Sequence, residues 1–384
     1  MFVRVKGSVF DIVVIGGGMA GVSAAAELAG HARVLLIETE SQPGYHATGR
    51  SAAILAQTYG SGPVRDLTAA SARFFDTPPD GFVDVPLLSP RGLMLIARDD
   101  QLDGLRAMHA ELSVSGYLSL IDAAEVEDRA PILRKGYAAG GIFNPHAQDI
   151  DVHGLLQGYL RLFRARGGEV TTKAEVTGLT RDGNTWTITT GTDTYQAGTI
   201  VNAAGAWADQ VADRAGVQPI GLAPLRRSAL TFSPPDGIDS DALPMMVDAE
   251  EQFYLKPETG KLLASPANED PSAPCDSQPD EMDIAIAIDR VLTAFDLDVR
   301  RIEAKWAGLR TFAPDRAPVC GYDPQAEGFF WLAGQGGYGI QTAPALARLT
   351  AHLITGAAPD PDFLATGLAI DTLSPARFHR AAAK

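Results

Sequence analysis

The sequence predicts a mixed α/β and α+β protein. A parallel-sheet unit is assembled from the start, middle and end of the chain, and a second unit of antiparallel strands is inserted between its pieces. Three patterns predict this. Residues 10–15 form an apolar run that passes through a glycine-rich turn into a helical run at 19–28, and a second apolar run at 33–37 ends in Glu38. Residues 169–196 and 221–265 hold short strand-like runs separated by prolines and by turn residues such as Asp182 and Gly183. Residues 329–333 then repeat the strand, glycine turn and helix order through Gly334, Gly336, Gly337 and Gly339, with a helix expected over 340–354.

In the first unit each glycine has a physical role. Gly16 permits the tight turn, Gly18 lets a pyrophosphate approach the backbone, and Gly21 lets the helix pack close to the strand. The helix start presents free N–H groups to phosphate. Glu38 stands where a carboxylate accepts hydrogen bonds from an adenosine ribose. The rival is a glycine-rich turn with no ligand; strand, helix and acid in this order favour a Rossmann-like dinucleotide site.

Further along, residues 50–56 and 63–75 read as helices, and 82–85 and 91–97 as strands split by Pro86 and Pro90. Residues 99–112 and 122–129 read as helical, the second with Asp122 and Glu125 at capping-box spacing. Asp151 suits the cap of a helix that runs to Arg166 and stops at Gly167 and Gly168. Residues 199–203 read as a buried strand. The small residues Ala203 and Gly205 at its end let a cofactor cross, although a tight strand-to-helix turn calls for the same residues. Residues 266–280, with four prolines, read as a surface loop, 283–295 as a helix, and 302–311 and 318–321 as strands. The nucleotide unit is thus expected over 1–80, 141–221 and 308–384, and the substrate unit over 81–140 and 222–307.

Composition narrows the function. The net charge of −15 over 384 residues disfavours nucleic acid and anionic membrane surfaces as partners. No apolar run approaches the roughly 18 residues of a membrane span, and the N-terminus does not read as a secretory signal. Cys275 and Cys320 are the only cysteines, too few for a disulfide framework, which fits a reducing cytoplasm. No Cys/His cluster has metal-ligand spacing, so no metal is expected.

The C-terminal glycine turn supplies a second place where N–H groups and a helix dipole favour negative charge. A reduced flavin carries such charge at its N1/C2 edge. A dinucleotide fingerprint at one end and an anion-stabilising turn at the other suit FAD better than NAD. Neither cysteine lies in a flavin-facing motif, so non-covalent FAD is expected.

Residues 42–53, 86–91, 201–207, 226–229, 253–257, 306–310 and 335–342 together resemble the D-amino-acid oxidase superfamily of FAD enzymes. Within it, the chain is most similar to FAD-dependent D-amino acid dehydrogenases of the D-arginine dehydrogenase type. The resemblance implies that residues 48–53, with Thr48, Arg50, Ser51 and Ala52, run beside the flavin ring, and that Glu175 or Val176 touches the adenine side. It places Gly336, Gly337, Gly339 and Ile340 at the cofactor. It also implies that Arg227 and Arg310 bind the substrate carboxylate with the Tyr254 hydroxyl, that Tyr59 sits at the pocket mouth, and that the Gly337 carbonyl meets the substrate amine.

Elementary chemistry bears on these roles. Two guanidiniums grip a carboxylate through charge-assisted bonds, and buried they need an anion, water or buffer if no substrate supplies one. Arg226 and Arg227 are strand neighbours and point to opposite faces, so only one enters the pocket; parity does not say which, and the resemblance favours Arg227. His46 faces the flavin or satisfies its loop, and Tyr338 lines the site or packs. Relatives that prefer cationic D-amino acids carry a carboxylate at the position of Leu93 and a histidine at that of Ile54. These two departures point to a neutral, apolar side chain or to a bulkier amine, unless Asp248, Glu250 or Glu251 restores cation selectivity. The expected reaction is oxidation of the CH–NH2 group of a small-molecule D-amino acid, with hydride transfer to flavin, to an imino acid that hydrolyses to a 2-oxo acid and ammonia. The electron acceptor is a quinone or another molecule. The alternatives are an oxidase that uses O2, a secondary-amine or opine-type dehydrogenase subunit, and a non-catalytic FAD-binding protein.

Overall fold

A computed structural model describes residues 4–113, 116–191 and 193–379; residues 1–3 and 380–384, the outer ends of the expected nucleotide unit, lie outside the described residues. The fold is the expected mixture of a parallel-sheet unit and an antiparallel one. The parallel core runs in the order Glu169–Thr171, Val34–Ile37, Arg4–Ile15, Asp193–Asn202, Phe329–Ala333. Three strands extend it in antiparallel sense. Thr185–Thr190 pairs the first half of Asp193–Asn202, Val176–Asp182 pairs Thr185–Thr190, and Val319–Tyr322 pairs Phe329–Ala333.

Both faces of the central parallel strands are buried, as parallel sheets require. Along the first strand Ile12 and Val14 enter one apolar layer, and Val13 and Ile15 the other. The first layer is closed by the helices Met19–Leu28, Val152–Ala165 and Ala343–Thr355, which contribute Val22, Leu155 and Leu346. The second, which Trp186 and Trp331 of the sheet fill, is covered by the helix Ala208–Arg214 through Ala208, Val211 and Ala212. Each such fully buried aliphatic side chain stabilises the fold by about 1.5–3 kcal/mol.

The second sheet runs in the order Gln335–Gly336, Ala304–Phe312, Ala223–Phe232, Lys261–Ser265, Tyr254–Glu258, Met245–Asp248, Leu93–Ala97, Gly140–Asn144, Ser119–Asp122. All its neighbours are antiparallel except Met245–Asp248 and Leu93–Ala97, which are parallel. The helix Glu281–Ala294 packs on it through Ile284, Ala287 and Val291. The two sheets are joined where Phe329–Ala333 turns through Gly334, at φ +71°, into Gln335–Gly336.

Several local expectations are corrected. Residues 50–56 are not helical: a single 3-10 turn, Ala47–Arg50, leads to the strand Ile54–Leu55, whose ladder partners are Asp149 and Gln148. Residues 82–85 are irregular, with Phe82 buried against Phe74 and Tyr159. The last long helix starts at Ala343, not at 340, because Pro344 belongs to its first turn and residues 338–342 close turns instead (Thr342 N–H to Tyr338 O, 3.1 Å). Both expected caps form: Asp122 and Glu125 bond reciprocally, and Asp151 Oδ1 accepts from Gly154 N–H at 2.8 Å.

Glycine demand differs sharply between positions. A Cβ on Gly21 would strike the Gly16 carbonyl, whereas a Cβ on Gly104, in the helix Leu102–Leu112, meets nothing within 4 Å. Gly21→Ala is therefore expected to lose about 1–3 kcal/mol of stability, and Gly104→Ala to gain about 0.5–1 kcal/mol. Denaturant titration of both variants checks the pair.

Candidate active site

A cavity of about 890 Å³ opens where the two sheets join. Its volume lies within the rough range of 300–1,000 Å³ of ligand sites. At one end it is walled by Gly16, Gly17 and Gly18 and by the start of the helix Met19–Leu28. Gly16, at φ +107°, lies so close to Ala203 that a Cβ would collide with its carbonyl. Gly18 is extended, and the helix it opens has neither a side-chain cap nor an acid in its first turn. Met19 N–H is taken by the Thr48 hydroxyl, so what this helix start offers an anion is its positive dipole end and the adjoining N–H groups that the N-cap residue leaves uncapped. Glu38 lies beside them: its Oε2 accepts from Gly17 N–H at 2.6 Å and its Oε1 from Glu40 N–H at 2.8 Å. Gly21 stands off the cavity wall and serves the packing of helix on turn.

The cavity is also lined by Thr48, Arg50, Ser51 and Ala52, and by Glu175, Val176, Ala203 and Gly205. The Thr48 hydroxyl accepts from Met19 N–H at 2.9 Å and so ties this segment to the helix start. Arg50 Nη1 donates to the carbonyls of Ser277 and Ala307, both at 2.8 Å, and Nη2 pairs with Asp276. His46 pairs with Glu40 at 2.9 Å and packs on Trp207 with ring centroids 4.7 Å apart. Cys275 lines the outer part of the cavity, while Cys320 is buried and its thiol is pushed up to about 12 by loss of solvent.

At the other end stand Arg227, Arg310, Tyr59, Tyr254 and Gly337, with Gly336, Gly339 and Ile340 behind. Strand register brings the two arginines together. Arg310 pairs with Leu225 and Arg227 with Gly308, so the two guanidiniums are diagonal neighbours on one face. Arg226, on the opposite face, forms ion pairs with Asp270 at 3.5 Å and Asp283 at 3.2 Å instead. The structure thus supplies the choice that strand parity left open. Arg310 Nη2 donates to the Tyr59 hydroxyl at 3.2 Å, and Arg227 Nε to the Asn268 carbonyl at 2.8 Å. Arg310 lies over Gly337 so closely that any Cβ there would collide with it. Burial, and then the charge of Arg310, holds Arg227 below the usual arginine range. Burial acts in the same direction on Arg310, but Tyr59, Tyr338 and Glu269 outweigh it and leave Arg310 above its ordinary value. Both remain protonated at working pH.

The wall beyond the arginines is apolar: Ile54, Leu93, Met245, Val247 and Leu95. Of the three loop acids, Asp248 is fully buried and held by Arg98 Nη1 and Gln101 Nε2, both at 3.2 Å. Glu251 reaches the cavity rim.

Sequence reading missed Glu269, which accepts from both Arg227 and Arg310, and Arg316, which donates to Glu269. Residues 266–280 read as a surface loop, yet Asp270–Pro271 pairs with Arg226 and Leu225, which draws Glu269 to Arg227. The acid itself was the only signal, and its partners lie more than 40 residues away.

The uncapped helix start, the carboxylate beside it and the second glycine turn across one continuous cavity fit an extended dinucleotide such as FAD. The family of FAD dependent oxidoreductases called DAO matches residues 11–353. The chain is 29% identical over 223 residues to L-2-hydroxyglutarate dehydrogenase of Escherichia coli (strain K12), covering 55% of this chain and 51% of that protein. It therefore spans about half the length of that relative. It is 25% identical over 365 residues to glycine oxidase of Pseudomonas putida, covering 91% and 95% of the two chains. Its fold matches the crystal structure of glycine oxidase from Geobacillus kaustophilus with a TM-score of 0.80 at 22% identity, over 90% and 94% of the two chains. No helix among the described residues is long and apolar enough to cross a membrane. The chain belongs to the DAO family of FAD dependent oxidoreductases.

Proposed function

We propose that this enzyme is a D-amino acid dehydrogenase of the D-arginine dehydrogenase type, and that it oxidises the CH–NH2 group of D-amino acids with neutral, apolar side chains. The convergence of Arg227 and Arg310 on one face of adjacent strands, inside the cavity that the glycine turns also line, carries this reading. Gly16, Gly18, Glu38 and residues 48–52 would hold FAD, which supplies when bound the acceptor for the hydride lost from Cα.

The chain's own residues then have distinct tasks. Arg227, Arg310 and the Tyr254 hydroxyl fix the carboxylate, and a fixed carboxylate limits the orientations of Cα. The Gly337 carbonyl accepts from the substrate amine. Tyr59, bonded to Arg310 and packed on Tyr338 with centroids 5.0 Å apart, guards the mouth. Ile54, Leu93, Met245 and Val247 receive the side chain. A cation on that side chain would meet apolar walls, with Asp248 already bonded to Arg98 and Gln101 and Glu251 placed at the cavity rim. The imino acid product hydrolyses in water to a 2-oxo acid and ammonia. The relative named L-2-hydroxyglutarate dehydrogenase favours a second reading, oxidation of a 2-hydroxy acid on the same clamp. Anaerobic mixing of the holoenzyme with panels of D-amino, L-amino and 2-hydroxy acids tests both: bleaching of the flavin by D-amino acids supports the first, and bleaching by hydroxy acids alone overturns it.

Three outcomes are expected. Arg310→Met and Arg227→Met each lower kcat/KM by about 3 kcal/mol, roughly 100-fold, in steady-state assays. With both arginines charged throughout, kcat/KM rises with pH to a plateau as the substrate amine loses its proton, and a flat profile from about pH 6 to 10 contradicts amine oxidation. Leu93→Asp moves the ratio of kcat/KM for D-lysine over D-leucine toward D-lysine by at least about tenfold, because it restores a counterion to the side-chain pocket.

A further inference from the structure

The proposed clamp is built for a carboxylate, and the chain already offers it one. Glu269 Oε1 accepts from Arg310 Nη1 at 3.1 Å and from Arg227 Nη2 at 3.4 Å. Both oxygens of the same carboxylate accept from Arg316 Nη2 at 3.0 Å. The side chains of Arg227 and Arg310 are 12% and 13% exposed and that of Arg316 is 49% exposed, so Glu269 spans from the buried clamp to a solvent-side cation.

The segment that carries Glu269 is held with unusual care. Asn268 Oδ1 accepts from Ser228 N–H at 2.9 Å, and its Nδ2 donates to Asp270 at 2.6 Å and to Asp283 at 3.0 Å. Ser265 Oγ accepts from Ala267 N–H at 3.1 Å. Ala267 itself sits at φ +52°, a left-handed conformation that residues with a Cβ rarely adopt. The backbone of 265–270 is therefore fixed, and the movable part is the Glu269 side chain.

We propose that Glu269 is a built-in competitor for the substrate carboxylate, holding Arg227 and Arg310 until a substrate displaces it onto Arg316. This rests on the reading of Arg227 and Arg310 as the substrate clamp. Two carboxylates cannot share one fork without repulsion. Arg316 already touches both Glu269 oxygens, so the transfer needs only a side-chain rotation. Arg316 is itself steadied against the Phe312 ring, its guanidinium carbon 3.8 Å from the centroid. The device makes Glu269 a specificity residue: only a ligand with its own carboxylate can replace the internal one, and a simple amine leaves the clamp closed.

The test is calorimetric titration of the FAD-loaded enzyme with propionate, a carboxylate with no amine. Glu269→Gln should lower the propionate Kd by about tenfold, and Arg316→Ala, at an exposed position, should raise it several-fold. In the Glu269→Gln background Arg316→Ala should have no further effect. An unchanged or raised Kd in Glu269→Gln overturns the proposal, as does an Arg316→Ala effect that persists in the double variant, since that is direct attraction and not transfer. Arg310→Met separates the two readings. If it leaves propionate binding intact, the clamp assignment fails; if it abolishes binding while Glu269→Gln does not tighten it, only the role of Glu269 fails.

Discussion

Two guanidiniums side by side in a largely buried cavity are the constraint on which the rest of this structure turns. Each loses solvent, and burial together with the charge of Arg310 holds Arg227 below the usual arginine range. The fold meets that cost with several weak partners and one strong one. The Asn268 carbonyl and the Tyr59 hydroxyl take one donor each, the rings of Phe312 and Tyr338 lie within 5.4 and 5.7 Å of Arg310, and Glu269 supplies the charge. An arrangement so dependent on opposite charge is suited to exchanging one carboxylate for another.

The clamp can exist only because two sheets of different class meet at it. The antiparallel sheet sets Arg227 and Arg310 in register, and the parallel sheet delivers its last strand to the same edge. The chain changes sheets at Gly334 and passes Arg310 at Gly337, where no side chain fits. The same turn thus lines the cavity and makes room for the Arg310 side chain. Gly334 and Gly336 in the same turn have two physical reasons to be glycine, a positive φ and close neighbours, whereas Gly337 has the one, the Arg310 guanidinium.

Much of this was legible beforehand, and unevenly so. The first βαβ unit was readable because its signals are local: an apolar run, three glycines at fixed spacing and an acid at the next strand's end. Asp122 and Asp151 were readable as caps for the same reason. The segment 50–56 was not, because its strand forms only against Gln148 and Asp149, about 95 residues away in sequence. The resemblance singled out Arg227 over Arg226, whereas the residues themselves left the pair undecided; the facing strands decide it by giving Arg226 to Asp270 and Asp283.

The sequence by itself determined the class of each sheet and the glycine turns, because periodicity and backbone freedom act over short distances; the arginine pair was marked only by the resemblance. Only the tertiary structure decided what neutralises the clamp. Glu269 sits in a proline-rich stretch with no local mark of function, and its role arises when strand pairing folds residues 269, 310 and 316 onto one point. Charge neutralisation depends on distance in space, and distance in space is what a one-dimensional pattern does not carry.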